Sequence, residues 1–318
     1  MSAEILRIHP DEPQPDRIDY GPIAEAVKEI PRAICNHIDG ERKAELERIH
    51  FALPAVTKWT VRVATRTFEG GKCLAGEDDR EPTRRFHTVV CIPPLSRAIL
   101  DNLFNLIFLY DRPQENTRWH LANAWRDARS AHEAMAERYR DDPEWAQYLP
   151  MYAGIVADMA KDASISPEES QNPDSVRKWP LPGAMKSGQA KGGVELTQDP
   201  SRRVFIGHLH KWYYGELSGK AHLSGMGFLS RGYMSFLTEE TDETRQQVLL
   251  ANEFFTLLTM HIALLSEVVG ELKLFHEAVR LREIWKQIQR WPDAEDLFKQ
   301  RYDSWLPGSP ILQAKHVG

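Results

Sequence analysis

What this 318-residue chain has little of narrows its class quickly. Its three cysteines, Cys35, Cys73 and Cys91, are far apart and odd in number, which excludes a disulfide framework or a Cys-based zinc pattern and makes reduced thiols in a cytoplasmic setting the expectation. No charge-free stretch reaches membrane-spanning length; the apolar run from Ala98 to Tyr110 is short and interrupted by Asp101, Asn102 and Asn105. The start, MSAEILRIHPDEPQPD, has no basic segment followed by an apolar one, so neither a targeting segment nor a membrane partner is expected. A large excess of one charge is also missing. With 40 Lys and Arg against 46 Asp and Glu, the formal net charge is -6, which argues against a globally basic nucleic-acid binder.

Period-2 alternation and internal repeats are absent, and with them the case for a β architecture. Gly192-Gly193 lacks the Gly-Lys-Ser/Thr of a phosphate-binding loop. No G-x-S-x-G nucleophile elbow occurs, and neither a cofactor nor a metal is expected. Glu47 and His50 have the E-x-x-H spacing of di-iron bundles without the second copy that chemistry needs. His208 and His210, two apart, diverge on a helix and have no acidic or Cys partner at ligand spacing.

What is present is helical patterning in a composition that is 42% hydrophobic and 27% charged. The spacing predicts a mobile, Pro- and Asp-rich tail over 1–19, then one helical domain over 20–318. Ile23, Val27, Ile30 and Ile34 fall at helical intervals, and Pro54 bends or breaks a second segment from Glu41 to Val63. Glu69 to Arg85 reads as a surface loop. Pro93 and Pro94 start a helix to Tyr110, Asp111-Arg112-Pro113 ends it, and Gln114 to Arg140 is a long amphipathic helix, followed by another over Glu144 to Ala163. Residues 164–200 read as a long insertion rich in Pro, Gly, Ser and Lys, flexible in the simplest reading. Thr241 to Trp291 carries the strongest helical signal, with Val248, Phe255, Leu258, Ile262, Leu265 and Val269 on one stripe, and a last short helix spans Asp293 to Trp305. The expected fold is all-α: an irregular helical bundle with a long C-terminal helix and a long flexible insertion.

Two polar ridges stand out. In the run Y-x-x-L-S-x-x-x-H, Tyr214, Ser218 and His222 recur every four residues and stack on one side of a helix, with His210 a turn earlier. In the apolar Pro94–Tyr110 segment, Arg97, Asp101 and Asn105 do the same. Burying a guanidinium or carboxylate alone costs several kcal/mol, so Arg97 and Asp101 need each other and further partners. Tyr214, Ser218 and His222 are of the right kind to supply them, and Gly215 and Gly219 leave room for close approach. The two ridges are therefore expected to face one another.

This pair of motifs, in this order, resembles the bacterial family known as domain of unknown function 5677, over about Thr83 to Gly270; the present chain has Asp101 where Glu is common. The resemblance implies a helical protein without an established activity. Some members look related to the HEPN helical bundles, many of them metal-independent ribonucleases or toxins that often dimerise to assemble a site. The HEPN pattern R-x(4–6)-H is met formally by Arg203 with His208, and Arg203 with His210, seven apart, is better placed on a helix. In an enzyme of that kind His222 or His210 would serve as acid or base, Arg97 or Arg203 would bind phosphate, with His208 beside them, and Tyr214 and Ser218 would orient. RNA or another protein are then the partners in view, with homodimerisation through the long stripe as a further option. The competing expectation, and the favoured one, is a structural polar network in a binding or scaffold protein.

Overall fold

The computed structural model describes residues 21–76, 82–180, 197, 199–221, 243–288 and 292–306. Among these the protein is all-α, without a strand. The predicted tail over 1–19, His222 and residues 181–196 of the predicted insertion lie outside the described residues. The chain divides into two compact units, one made of residues 1–37, 57–106 and 208–318, the other of 38–56 and 107–207. Each is assembled from segments that are not contiguous in the sequence.

The first unit is organised around α11. We number the helices α1 (Gly21–Lys28), α2 (Ile30–Asp39), α3 (Lys43–Ile49), α4 (Leu53–Gly76), α5 (Pro82–Asp111), α6 (Pro113–Arg138), α7 (Tyr148–Asp162), α8 (Pro167–Gln171), α9 (Pro200–Leu209), α10 (Gly215–Ala221), α11 (Glu243–Leu272), α12 (Phe275–Ile288), α13 (Pro292–Leu297) and α14 (Asp303–Trp305). From Leu257 to Gly270 every residue of α11 is buried, so this helix is enclosed on all sides, as a helix apolar around its whole circumference must be. Leu250–Leu272 is long and apolar enough to cross a membrane by length and composition, and 89% of its most apolar stretch is buried inside the protein.

Neighbours meet α11 through specific contacts. On α4, Phe68 stacks on His261 with ring centroids 4.6 Å apart, and a Cβ on Gly71 would collide with the Leu257 side chain. That packing explains a departure from the sequence expectation. Glu69 to Gly76 reads as loop, yet it continues α4, because the glycine that weakens the helix locally lets α11 approach. Similarly, α5 begins at Pro82 and runs through Pro93 and Pro94, where a start at these prolines was expected. Two missing N–H groups cost the helix backbone bonds, while buried Ile92, Ile99, Leu100 and Leu103 supply the packing that holds it.

The C-terminal helix predicted over Thr241 to Trp291 is two helices. α11 stops in a Schellman turn: the N–H of Leu274 donates to the Val269 carbonyl at 3.0 Å and that of Lys273 to the Gly270 carbonyl at 3.2 Å. Lys273 occupies the left-handed position with φ 53°, which usually falls to glycine. No glycine marks the stop, so the break is invisible in the sequence pattern. The short helix expected at the C-terminal end is present as α13, a π-helical turn over Phe298–Tyr302, and α14. Here Arg301 donates to both oxygens of Glu267, at 2.6 and 3.2 Å, in a fully buried pair, and its guanidinium stacks on Trp305 at 3.9 Å.

In the second unit α6 packs on α7 around Ala122, Trp125, Val156, Ala163 and Val176. The corner expected at Asp111-Arg112-Pro113 is there, with Pro113 as the first residue of α6 and Asn116 Nδ2 donating to the Phe108 carbonyl at 2.6 Å. Residues 164–180, expected within a flexible insertion, are instead packed. Ser166 and Glu169 form a capping box on α8, Trp119 Nε1 donates to the Arg177 carbonyl at 2.7 Å, and Trp179 lies edge-on to both Phe108 and Trp119. The aromatic anchor Trp179 and buried Val176 hold this polar stretch against α6.

Two outcomes follow for stability. Lys273→Gly, which removes a Cβ from a left-handed position, should stabilise the protein by about 1 kcal/mol in urea unfolding. His261 supplies a pH dependence. Its Nε2 lies 3.3 Å from Thr65 Oγ1, whose own proton goes to the Val61 carbonyl, so Nε2 carries the imidazole proton and Nδ1 is a buried lone pair without a partner. Burial lowers its pKa to about 3 from 6.5. Between those values the unfolded chain binds a proton that the folded chain refuses, so stability falls as pH drops through the window, by on the order of 4 kcal/mol at its acid end. His261→Gln, which keeps a donor to Thr65, should flatten that slope in unfolding measured between pH 7 and pH 4.

Candidate functional site

Within the first unit, Arg97 of one predicted ridge meets Tyr214 of the other. The α9 segment opens after Asp199, whose carboxylate accepts from the N–H and hydroxyl of Ser201 at 2.8 Å each. Between α9 and α10 the chain makes a π-helical turn over His210–Tyr214. This wider turn holds i→i+5 bonds and is often found where a side chain must be re-aimed. It ends on Tyr214, whose ring takes the Arg97 guanidinium 3.4 Å from its centroid. Arg97 Nη1 donates to the Tyr214 backbone carbonyl at 3.4 Å, and Nε donates to Asp101 Oδ2 at 3.1 Å.

This clamp is well enclosed on the arginine side. Only 11% of the Arg97 side chain is exposed, against 39% for Asp101. His210 stacks on Tyr214 with ring centroids 4.8 Å apart and planes 15° from parallel, and Phe104 meets the same ring edge-on. The phenol ring thus carries a cation, an imidazole and an aromatic edge at once. Guanidinium suits this better than ammonium, because it is planar and weakly hydrated.

The remaining predicted residues are distributed less tightly. Ser218 is half-buried on α10, one turn beyond Tyr214. His208 is half-buried, 6.3 Å from the Tyr213 ring. Arg203 belongs to the second unit, where it donates to the Thr197 carbonyl at 3.0 Å. Gly215 does not mark a close approach as expected, since a Cβ there would meet nothing within 4 Å. Glu47 lies on α3, and His50, just past the end of that helix, accepts from the Ala52 N–H at 3.2 Å.

One partner near the ridge escaped the sequence reading. Lys220, on α10, donates to Glu253 of α11 at 2.7 Å and pairs with Glu216 at the same distance. Burial pushes its pKa down, and the carboxylates of Glu253 and Glu216 more than offset that, so it lies above the ordinary lysine value. Glu253 Oε2 is buried without a hydrogen bond. A glutamate inside an apolar helix is the signal that could have found it, since such a group requires a cation.

By fold and site the chain is an all-α protein with a cation–aromatic clamp between two helical segments. Comparison with family models, with curated proteins and with solved structures gives no match.

The clamp uses the ring and backbone of Tyr214, with its hydroxyl outside the contacts to Arg97. Tyr214→Phe should therefore keep stability within about 0.5 kcal/mol of wild type, while Tyr214→Ala and Arg97→Lys should each cost about 1 to 2 kcal/mol, the size of a desolvated cation–π contact. Chemical denaturation of the three variants measures this ordering.

Proposed function

We propose that the protein is a non-catalytic helical binding or scaffold protein in which Arg97, Asp101 and Tyr214 form an architectural clamp. The observation that carries this reading is the commitment of Arg97. Its guanidinium lies on the Tyr214 ring, Nε is held by Asp101, Nη1 by a backbone carbonyl, and the side chain is 11% exposed. A phosphate-binding arginine needs donors open to the ligand, whereas Arg97 has Nε and Nη1 already engaged and one face of its guanidinium covered by the Tyr214 ring. Lys220 with Glu253, at 2.7 Å, ties α10 to α11 and supports the same reading.

A second reading, a metal-independent HEPN-like ribonuclease, draws on His210, which is half-buried and lies on Tyr214 in a π-helical turn. Such an imidazole is suited to take a ribose 2′-hydroxyl proton or protonate a leaving oxygen. The two readings separate in a cleavage assay on single-stranded RNA in chelator, using wild type, His210→Ala and His222→Ala, each checked for unchanged melting temperature. The scaffold reading expects no cleavage from any of the three. Wild-type cleavage that disappears in a histidine variant of normal stability would overturn it in favour of the nuclease.

A further inference from the structure

An open cavity of about 700 Å³ lies wholly within the second unit, a size suited to a small ligand. Its wall is formed by the end of α3, the start of α6 and the turn after α7, and the apolar side chains on it are Ile49 and Pro113. The polar groups are unbalanced. Arg118 uses a single nitrogen, Nη2, for all its protein contacts: the Ser164 carbonyl at 3.2 Å and the two Glu169 oxygens at 3.1 and 2.9 Å. Its Nε and Nη1 donors make no hydrogen bond to described residues, and 43% of the side chain is exposed.

His50 adds another donor. Its Nδ1 accepts from the Ala52 N–H, and burial holds its pKa below the ordinary value, so the neutral ring carries its proton on Nε2. The wall's carboxylate, Glu115, is already engaged by Arg112 at 3.0 and 3.2 Å. Gln114 lies in the first turn of the 26-residue α6, where backbone N–H groups have no helical acceptor.

A third guanidinium adds to the local charge. Arg177 stacks on Trp119 at 3.8 Å, and its Nη2 is buried with no acceptor. Burial and then the positive charge of Arg112 lower its pKa. Like charges are thus gathered near a cavity that is rich in donors and poor in free acceptors. The residue closing the turn at the rim, Ser164, is held at φ 49°, in the left-handed region that costs a non-glycine residue energy.

We propose that this cavity binds a small organic molecule through an oxyanion, a phosphate or a carboxylate, received by Arg118, His50 and the first turn of α6. The apolar walls at Ile49 and Pro113 take the carbon part of the ligand. The site is independent of the clamp at Tyr214 and of the reading built on it.

The test is thermal unfolding and calorimetric titration of the full chain with inorganic phosphate, ribose 5-phosphate and succinate, each against sodium chloride at equal ionic strength. At least one oxyanion is expected to raise the melting temperature beyond the chloride reference and to titrate saturably. A response to the two phosphates alone identifies the group as phosphate, and a response to succinate alone as carboxylate. Gln114→Glu places a carboxylate on the wall at a helix position that tolerates acid, so it should weaken binding at least about tenfold without lowering the melting temperature of the unliganded protein. Arg118→Gln should weaken it similarly. No response to any of the three anions in the wild type, or equal affinity in Gln114→Glu, overturns the proposal.

Discussion

Enclosing a helix on every side removes the water that would otherwise satisfy its polar side chains, and the first unit is built on how α11 meets that constraint. Four of its buried polar residues are each answered by a different neighbour, while the buried Thr259 hydroxyl is left without a hydrogen bond. Glu253 is met by Lys220 of α10, His261 by Thr65 of α4, Ser266 by the indole N–H of Trp285 on α12 at 3.0 Å, and Glu267 by Arg301. Apolar packing alone would permit neighbouring helices to slide or rotate against this core. A buried carboxylate that loses its cation costs several kcal/mol, so the four contacts pin each neighbour in register.

A guanidinium laid on an aromatic ring recurs through the protein. Arg97 on Tyr214, Arg177 on Trp119 and Arg301 on Trp305 lie 3.4, 3.8 and 3.9 Å from their ring centroids. In each case the arginine is mostly buried and joins segments distant in sequence or adjoining in a turn. Lysine would not substitute, because its compact, strongly hydrated ammonium resists this desolvation and cannot lie flat. The chain therefore uses arginine as a flat packing element as much as a charge, which is the physical basis for reading Arg97 as architecture.

The helical class and most elements were legible because hydrophobic spacing reports buried faces directly. Even the meeting of Arg97 with Tyr214 followed from asking what a buried charge needs. Boundaries were less legible where tertiary contact overrides local preference. Gly71 continues a helix because α11 presses against it, Pro93 and Pro94 lie within one, and Lys273 ends one without a glycine. The packing of residues 164–180 depends on Trp179 and Val176 finding α6, a long-range event that local composition does not report. The π-helical turn was likewise hidden, since no residue type in His210–Tyr214 announces it. Within the cavity of the second unit, the sequence reading had singled out His50 for a metal-type spacing, whereas its neighbours there are arginines.

The long separation of α11 from α4 in the sequence has a consequence for synthesis. Thr65 and His261 are 196 residues apart, and at ribosomal rates of about 5 to 20 residues per second that interval is roughly 10 to 40 s. Until α11 emerges, Phe68 of α4 lacks the rings of Phe254 and His261 that it packs against, and the Gly71 and Leu95 contact between α4 and α5 lacks the Leu257 side chain. The first unit is thus completed only once the residues between Thr65 and His261 have been made, and the nascent protein must carry uncovered apolar surface on α4 for that time.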